Sequence, residues 1–207
     1  MRWMTRLGRE IRARRVRRWA RARMRRNDSV IVDTETTDLA GQVIQVSVID
    51  LRGTVLLSTL VKPTTPITAT AAAVHGITDA DVTDAPTMAA IAPQLHEVVA
   101  GKWLLAYNAP FDRDALLRSL ELSSCAPGWL AGSRHWRCLM RLRAVTEDGR
   151  WTKLGGPHHA LGDCVAALEV LRRLAEPSET RTRRHGTDCS WAAATVAAGP
   201  SRESLAR

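Results

Sequence analysis

An α/β fold built on a mixed sheet is what this sequence predicts, and three observations carry the prediction. Three strand-like runs follow one another within residues 30–61, joined by short polar turns, which is the pattern of an antiparallel meander. Helical periodicity then alternates with short apolar strands, which adds parallel strands and flanking helices to the meander. Finally, 207 residues suffice to bury a core as one domain with tails.

The elements follow in order. Residues 1–27 hold twelve arginines against Glu10 alone, so this arm carries +11 of a total of +9 and leaves −2 for everything after it. It lacks proline and has a ragged apolar stripe of Trp3, Leu7, Ile11, Val16 and Trp19. We expect it to be disordered or loosely helical over residues 1–28. Its function is open between a polyphosphate-binding arm, a weaker option of a helix lying on a membrane surface, and a leader ahead of a true start at Met24. Strands are expected at Val30–Thr37 (VIVDTETT), Val43–Ile49 and Thr54–Val61, a helical turn at Ala69–Val74, and a helix from Pro86 to about Ala100. Trp103–Tyr107 reads as a buried strand, Pro110 opens a helix through Leu120, Arg134–Leu142 reads as a further strand, and residues 147–157 form a Gly-rich loop. A last helix runs from about His158 to Ala175, and residues 177–207, rich in Arg, Ser, Thr and Ala without period, read as a disordered tail. Residues 29–176 are thus the expected domain. No apolar run approaches a membrane span, and four scattered cysteines without a C-x-x-C read as reduced thiols of a cytosolic protein, making zinc improbable.

The first strand carries the chemistry. Strand side chains alternate, so Asp33 and Glu35 project from the same face at the end of a run that the pattern calls buried. Two carboxylates held side by side repel, more so when desolvated, and a hard divalent cation, Mg²⁺ or Mn²⁺, relieves them. D-x-E by itself is equally compatible with a solvated strand end. Asp112, one turn into a helix that follows a strand, and Asp163, early in the last helix, each have capping as a sufficient local explanation. Their company exceeds that explanation: Asn108 and Phe111 flank Asp112, and His158 precedes Asp163 by five residues, a spacing at which both can face one cleft. Asp79 and Asp114 lack such surroundings and read as surface acids.

Together, Asp33-Thr-Glu35-Thr-Thr, Asn108-Ala-Pro-Phe111-Asp112 and His158-x-Ala-Leu-x-Asp163 resemble the three exonuclease motifs of the DEDD superfamily in its histidine-bearing branch. That branch includes the proofreading epsilon subunits of bacterial DNA polymerase III, ribonuclease T and oligoribonuclease. Val74-His75-Gly76-Ile77-Thr78 resembles a further signature of the epsilon-like members. The resemblance spans residues 29–176 and implies a ribonuclease H-like fold. It also implies a 3′–5′ exonuclease that releases 5′-mononucleotides from single-stranded DNA or RNA with two Mg²⁺ or Mn²⁺ ions. Under it, Asp33, Glu35 and Asp163 hold one ion, Asp33 and Asp112 face the second, and His158 takes a proton from the attacking water. Thr36 and Leu39 are expected near the terminal nucleotide, with His75, Asn108 and Phe111 lining the same pocket; for Phe111, core packing is nearly as good a reading.

Three positions depart from the motifs. Asp38 stands where the family usually has Gly, so a left-handed turn is expected there, tolerated by aspartate. Gln45 replaces a frequent Glu in the second strand. His159 doubles the motif histidine, and the spacing to Asp163 selects His158. Two other readings stay open: a non-catalytic nucleic-acid-binding module, and a proofreading subunit with a DNA polymerase as partner.

Overall fold

The computed structural model describes residues 2–26, 28–131, 135–147 and 149–177, with side chains from residue 7 onward. The tail expected from residue 177 lies, apart from Pro177, outside the described residues. Helix α1 (Arg2–Arg26) precedes strands β1 (Ser29–Thr36), β2 (Val43–Asp50) and β3 (Val55–Leu60). Next come α2 (Ala69–His75), α3 (Asp79–Val82), α4 (Met88–Val99), β4 (Trp103–Ala106), α5 (Ala109–Leu122) and α6 (Gly128–Ala131). β5 (Trp136–Cys138), α7 (Leu139–Thr146) and α8 (Ala160–Ala175) complete the chain.

The five strands form one sheet in the order β3-β2-β1-β4-β5. β1, β2 and β3 pair antiparallel, and β4 and β5 add in parallel to β1, so the sheet is mixed as the order of apolar runs requires. Residue alternation along β1 then decides what lies on each face. Val30 and Val32 pack with Leu95 of α4 and with Leu116 and Leu120 of α5. Ile31 points the other way, into a cluster with Leu168 and Leu171 of α8. Fully burying each such aliphatic side chain contributes about 1.5–3 kcal/mol, so a one-residue slip of β1 would forfeit both faces at once. Asp33 and Glu35 share the parity of Ile31 and point toward α8; Thr34 shares that of Val32. The ladder irregularity between β1 and β2 falls between Glu35 and Thr36, after both acids, so their common facing survives.

Two segments differ from expectation. Among the described residues of the 134–142 run, only Trp136–Cys138 form a strand, because the β4 edge offers three partners, Leu104 to Ala106, and the Met140 N–H then donates to the Tyr107 carbonyl as α7 begins. The arm is a 25-residue helix docked on α7 and α8 rather than a loose segment. The apolar stripe misled because it followed large residues: Leu7 and Ile11 are 55% and 44% exposed. Val16 of that stripe is buried on the α8 side of the sheet with Trp19 partly buried there, and Ala20, outside the stripe, joins them; Ala13 is buried as well. Arg23 locks the end of the helix, with Nη1 3.1 Å from an Asp28 carboxylate oxygen and its guanidinium 5.2 Å from the Trp103 ring centre. Among the described residues no helix is long and apolar enough to cross a membrane.

Docking and looseness make opposite predictions for the arm. Ala20→Glu should lower stability by about 2–4 kcal/mol in thermal unfolding, since it buries an unpaired charge, while Arg15→Ala on the exposed side should stay within about 0.5 kcal/mol. Equal, small effects would return the arm to a loose segment.

Candidate active site

The end of β1, which carries Asp33 and Glu35, is where two helices deliver acids, Asp112 from α5 and Asp163 from α8. One carboxylate oxygen each of Asp33, Glu35 and Asp163 lie within 4.8 Å of one another. Asp33 and Asp163 are each 9% exposed, so this is a nearly dry cluster of like charge. Asp33 comes from β1 by alternation, and Asp163 from the first turn of α8.

Asp112 joins from the other side. The parallel ladder of β1 with β4 ends at Ile31–Leu105, so further along that edge the Thr34 N–H has no β4 partner. It donates instead to Asp112 Oδ1 at 3.0 Å, and the Thr34 hydroxyl donates to the same oxygen at 3.0 Å. Asp112 is 2% exposed, which makes these bonds necessary rather than incidental. The non-acidic residue between the two motif acids therefore fixes the third.

Electrostatics follow from this crowding. Burial, then the neighbouring Asp112, Asp163 and Glu35, push the Asp33 carboxyl well above its ordinary range. Burial, then Asp163 and Asp112, push Glu35 up to about 7. Asp112 also rises to about 7 through burial, against the pull of the two Thr34 hydrogen bonds. Burial raises Asp163 as well, opposed by the charge and backbone N–H of His158 and by His159.

The donor set fits a hard divalent cation. Asp163 Oδ1 is buried without a hydrogen-bond partner, the state of an oxygen reserved for a ligand. A side chain at Gly156 would place its Cβ 1.7 Å from that oxygen, so only glycine leaves room for the carboxylate there. Pro157 is seated on α8 in the same manner, since a Cβ at Gly162 would fall 2.3 Å from its ring. The Gly155-Gly156-Pro157 stretch is thus shaped around the first turn of α8, and the Tyr107 hydroxyl ties the loop down by donating to the Thr152 carbonyl. All-oxygen ligands favour Mg²⁺ or Mn²⁺ over softer metals.

The two histidines at the start of α8 are not equivalent. His158 has a left-handed backbone, φ 54°, unusual for a residue with a Cβ, and its side chain is exposed. His159 is the N-cap, and its Nε2 lies 3.0 Å from Gln45 Nε2. The Gln45 amide is oriented by the Ala160 N–H, which donates to its Oε1 at 2.9 Å. Its NH₂ must then face His159, whose Nε2 can only accept. Gln45 thereby ties β2 to the mouth of α8 and consumes the second histidine.

Around the cluster, the His75 ring accepts from the Ile77 N–H at Nδ1 (3.0 Å), leaving Nε2–H to donate to the Thr36 carbonyl (3.3 Å). The structure thus brings two of the predicted pocket residues together. Leu39 is 85% exposed, Asn108 is exposed and Phe111 is half-buried on the first turn of α5. Asp38 makes its turn without a positive φ, contrary to expectation: among the described non-glycine residues only Ser124 and His158 have one. Instead the Asp38 carbonyl receives the Thr36 hydroxyl (2.7 Å) and the Gly41 N–H (2.8 Å). Sequence reasoning overlooked Thr34 and Gly156; the first was legible only as the residue opposite in parity to the acids, the second only as one glycine of a glycine-rich loop.

Comparison with known proteins agrees with this geometry. The exonuclease family typified by ribonuclease T (RNase_T) matches residues 30–171. An uncharacterized exonuclease of Escherichia phage 186 is 33% identical over 177 residues, covering 72% of this chain and 89% of the phage protein. Exodeoxyribonuclease 10 of Escherichia coli is 34% identical over 160 residues, 68% of this chain and 66% of its own length. A DNA polymerase III subunit epsilon-like protein of Rhodobacter capsulatus is 33% identical, but the match spans only 24% of it. Among solved structures, exonuclease X in complex with 5′ overhanging duplex DNA superposes with a TM-score of 0.51 at 29% identity, covering 72% of this chain and 95% of that one. The nuclease domain of a DEDDh family member bound to rAMP, 18% identical with a TM-score of 0.56, shares the fold.

Two outcomes test the site. Carboxyls whose folded-state pKa is raised contribute stability that is complete below their unfolded value of about 4 and is lost as pH rises through 7. Metal-free protein should therefore melt lower at pH 8 than at pH 5, and Mg²⁺ should raise the melting temperature more at pH 8. A flat pH profile with no Mg²⁺ effect would remove the cluster's electrostatic basis. Gly156→Ala should displace the Asp163 carboxylate and lower nuclease activity by about 100-fold while the far-UV spectrum is retained.

Proposed function

The chain belongs to the exonuclease family, and on that premise we propose that it works as a member of the DEDDh branch and removes 5′-mononucleotides one at a time from the 3′ end of DNA, with residues 29–176 as the nuclease domain. The observation that carries this reading is the meeting of Asp33, Glu35 and Asp163 within 4.8 Å, with Asp112 anchored beside them through Thr34. DNA is favoured over RNA because exodeoxyribonuclease 10 and the DNA-bound exonuclease X are among the relatives that match over most of this chain.

Asp33, Glu35 and Asp163 would hold one Mg²⁺ or Mn²⁺, and Asp33 with Asp112 a second. When bound, the two cations offset the negative charge that builds on the phosphodiester during in-line displacement. The chain's own residues do the rest. His158 stands exposed at the mouth of α8, close enough to Asp163 for its charge to act on that carboxyl, and accepts the proton of the attacking water. Thr34 holds Asp112 immobile, so the acid need not reorganise during turnover. The Thr36 backbone, braced by His75 Nε2, borders the terminal nucleotide. Exposed Leu39 wedges against its base, and Asn108 and Phe111 flank it from α5.

A proofreading role beside a polymerase is the second reading, supported by the epsilon-like relative; co-purification of a polymerase from native extract tests it. The non-catalytic alternative predicts binding without turnover, and metal-dependent release of mononucleotides from a 3′-labelled oligomer decides against it.

Asp33→Ala, Glu35→Ala and Asp163→Ala should each lose at least about 100-fold in kcat with Mg²⁺ while remaining folded, and EDTA should abolish wild-type activity. Activity within about tenfold of wild type in any of the three would count against the assignment. His158→Ala should cost about 100-fold or more, and His159→Ala less than about tenfold. Equal losses would mean that the other histidine is the base. On matched single-stranded oligomers, RNA cleaved faster than DNA would overturn the DNA assignment alone.

A further inference from the structure

Helix α1 lies outside the family match, which begins at residue 30, yet it is built into the body. Its inner face is fully used: Ala13, Val16 and Ala20 are buried, and Arg23 is paired with Asp28. Its outer face is different in kind. Arg14, Arg18, Arg21 and Arg25 are all exposed and recur at steps of four, three and four residues. That spacing lines them up as one ridge, about 16 Å from first to last at 1.5 Å per residue.

Like charges three and four residues apart oppose helix formation. Within α1 the only acid is Glu10, and it already serves Arg14 (3.4 Å) and Arg17 (3.7 Å). A fixed row of guanidiniums therefore stands on a body whose remaining residues carry −2. We propose that this ridge docks the sugar-phosphate backbone of a nucleic acid strand, with Arg14, Arg18, Arg21 and Arg25 each reaching a phosphate. A row of phosphates matches a ridge of evenly spaced cations without any reading of base sequence.

Cationic positions continue from α1 toward the acidic cluster. Trp103 has Arg23 on its ring at 5.2 Å and Arg137 at 4.3 Å. Arg137 and Arg141, with Arg113 paired to Asp114 at 3.1 Å, line a cavity of about 350 Å³ beside Ala109 and Pro110, the residues that open α5 just before Asp112. A membrane surface is the poorer fit, because Val16 and Ala20 are committed to the body, which leaves Leu7 and Ile11 as the exposed large apolar residues among those described in α1, too few to seat a surface-lying helix.

The proposal rests on the nuclease reading only for the identity of the polyanion, and the two can fail separately. The test is fluorescence anisotropy of the full chain with a labelled oligothymidylate of about 20 nucleotides, in EDTA, across a salt series. The slope of log affinity against log salt should flatten by up to about 3 when Arg14, Arg18, Arg21 and Arg25 are all changed to Gln, at about 0.7 per phosphate contact on a single strand. The corresponding Lys variant, which keeps the charge, should keep most of the slope. An unchanged slope in the Gln variant overturns the ridge, and so does equal flattening in both variants, which would report helix integrity rather than charge. Tighter binding to phosphatidylserine vesicles than to the oligomer, lost in the Gln variant, would overturn it in favour of a lipid surface. Absence of mononucleotide release by the wild type with Mg²⁺ would instead sink the nuclease reading while leaving the slope comparison valid.

Discussion

Burial of four carboxyl groups together at the end of one strand is the constraint on which the rest of this molecule depends. Burial raises the pKa of Asp33, Glu35, Asp112 and Asp163 alike, and repulsion from neighbouring carboxylates adds to it at Asp33, Glu35 and Asp112, so a compensating positive charge relieves the cluster. The fold brings them together by means that are strong elsewhere. β1 is buried on both faces, so alternation is enforced by Val30, Ile31 and Val32 before it reaches the acids. α5 and α8 are held by Leu116, Leu120, Leu168 and Leu171, so their first turns cannot retreat from the cluster. The surrounding apolar packing offsets a local destabilisation that is the useful part of the structure.

The departures from the family motifs are absorbed by rewiring near the site. Where a carboxylate is frequent, Gln45 uses both ends of its amide: one takes the Ala160 N–H, the other engages His159. That arrangement adds no fifth acid to the cluster, and it engages His159 while leaving the His158 ring outside the Gln45 hydrogen bond. Asp38 is accommodated by hydrogen bonds to its carbonyl rather than by a left-handed backbone. Outside the matched residues 30–171, α1 is joined to the sheet and α8 through Val16 and Ala20 and through Arg23 on Trp103.

The fold was legible in sequence wherever burial imposes a period. The β-branched run before Asp33 and the leucines of α5 and α8 placed the sheet and two of its helices, because strand and helix periods differ and each was met by enough residues. The 134–142 run failed because its length as a strand depends on how many partners the β4 edge provides, a property of another segment. The arm failed for a related reason: Ala13 and Ala20, which carry little hydrophobic signal, share its buried side with Val16 and Trp19, and its charge suggested solvent. At the site, the motif acids were legible as residue types at fixed spacing. Thr34 was not, since its role arises from the short β4 ladder that frees its N–H, and Gly156 was not, since its role is an absence of atoms beside a residue seven positions away.

Proton release on cation binding is the most direct measure of whether these four carboxyls form one electrostatic unit that a divalent ion neutralises. Calorimetric titration of the metal-free chain with Mg²⁺ or Mn²⁺ at pH 7, in buffers of different ionisation enthalpy, counts those protons. With Glu35 and Asp112 both pushed up to about 7 and Asp33 also raised by burial, about one proton should leave per chain, and the number should fall as pH is raised toward 9. A binding enthalpy independent of the buffer at pH 7 would show that the acids are already ionised without the metal, and would contradict the coupling of burial, repulsion and cation binding.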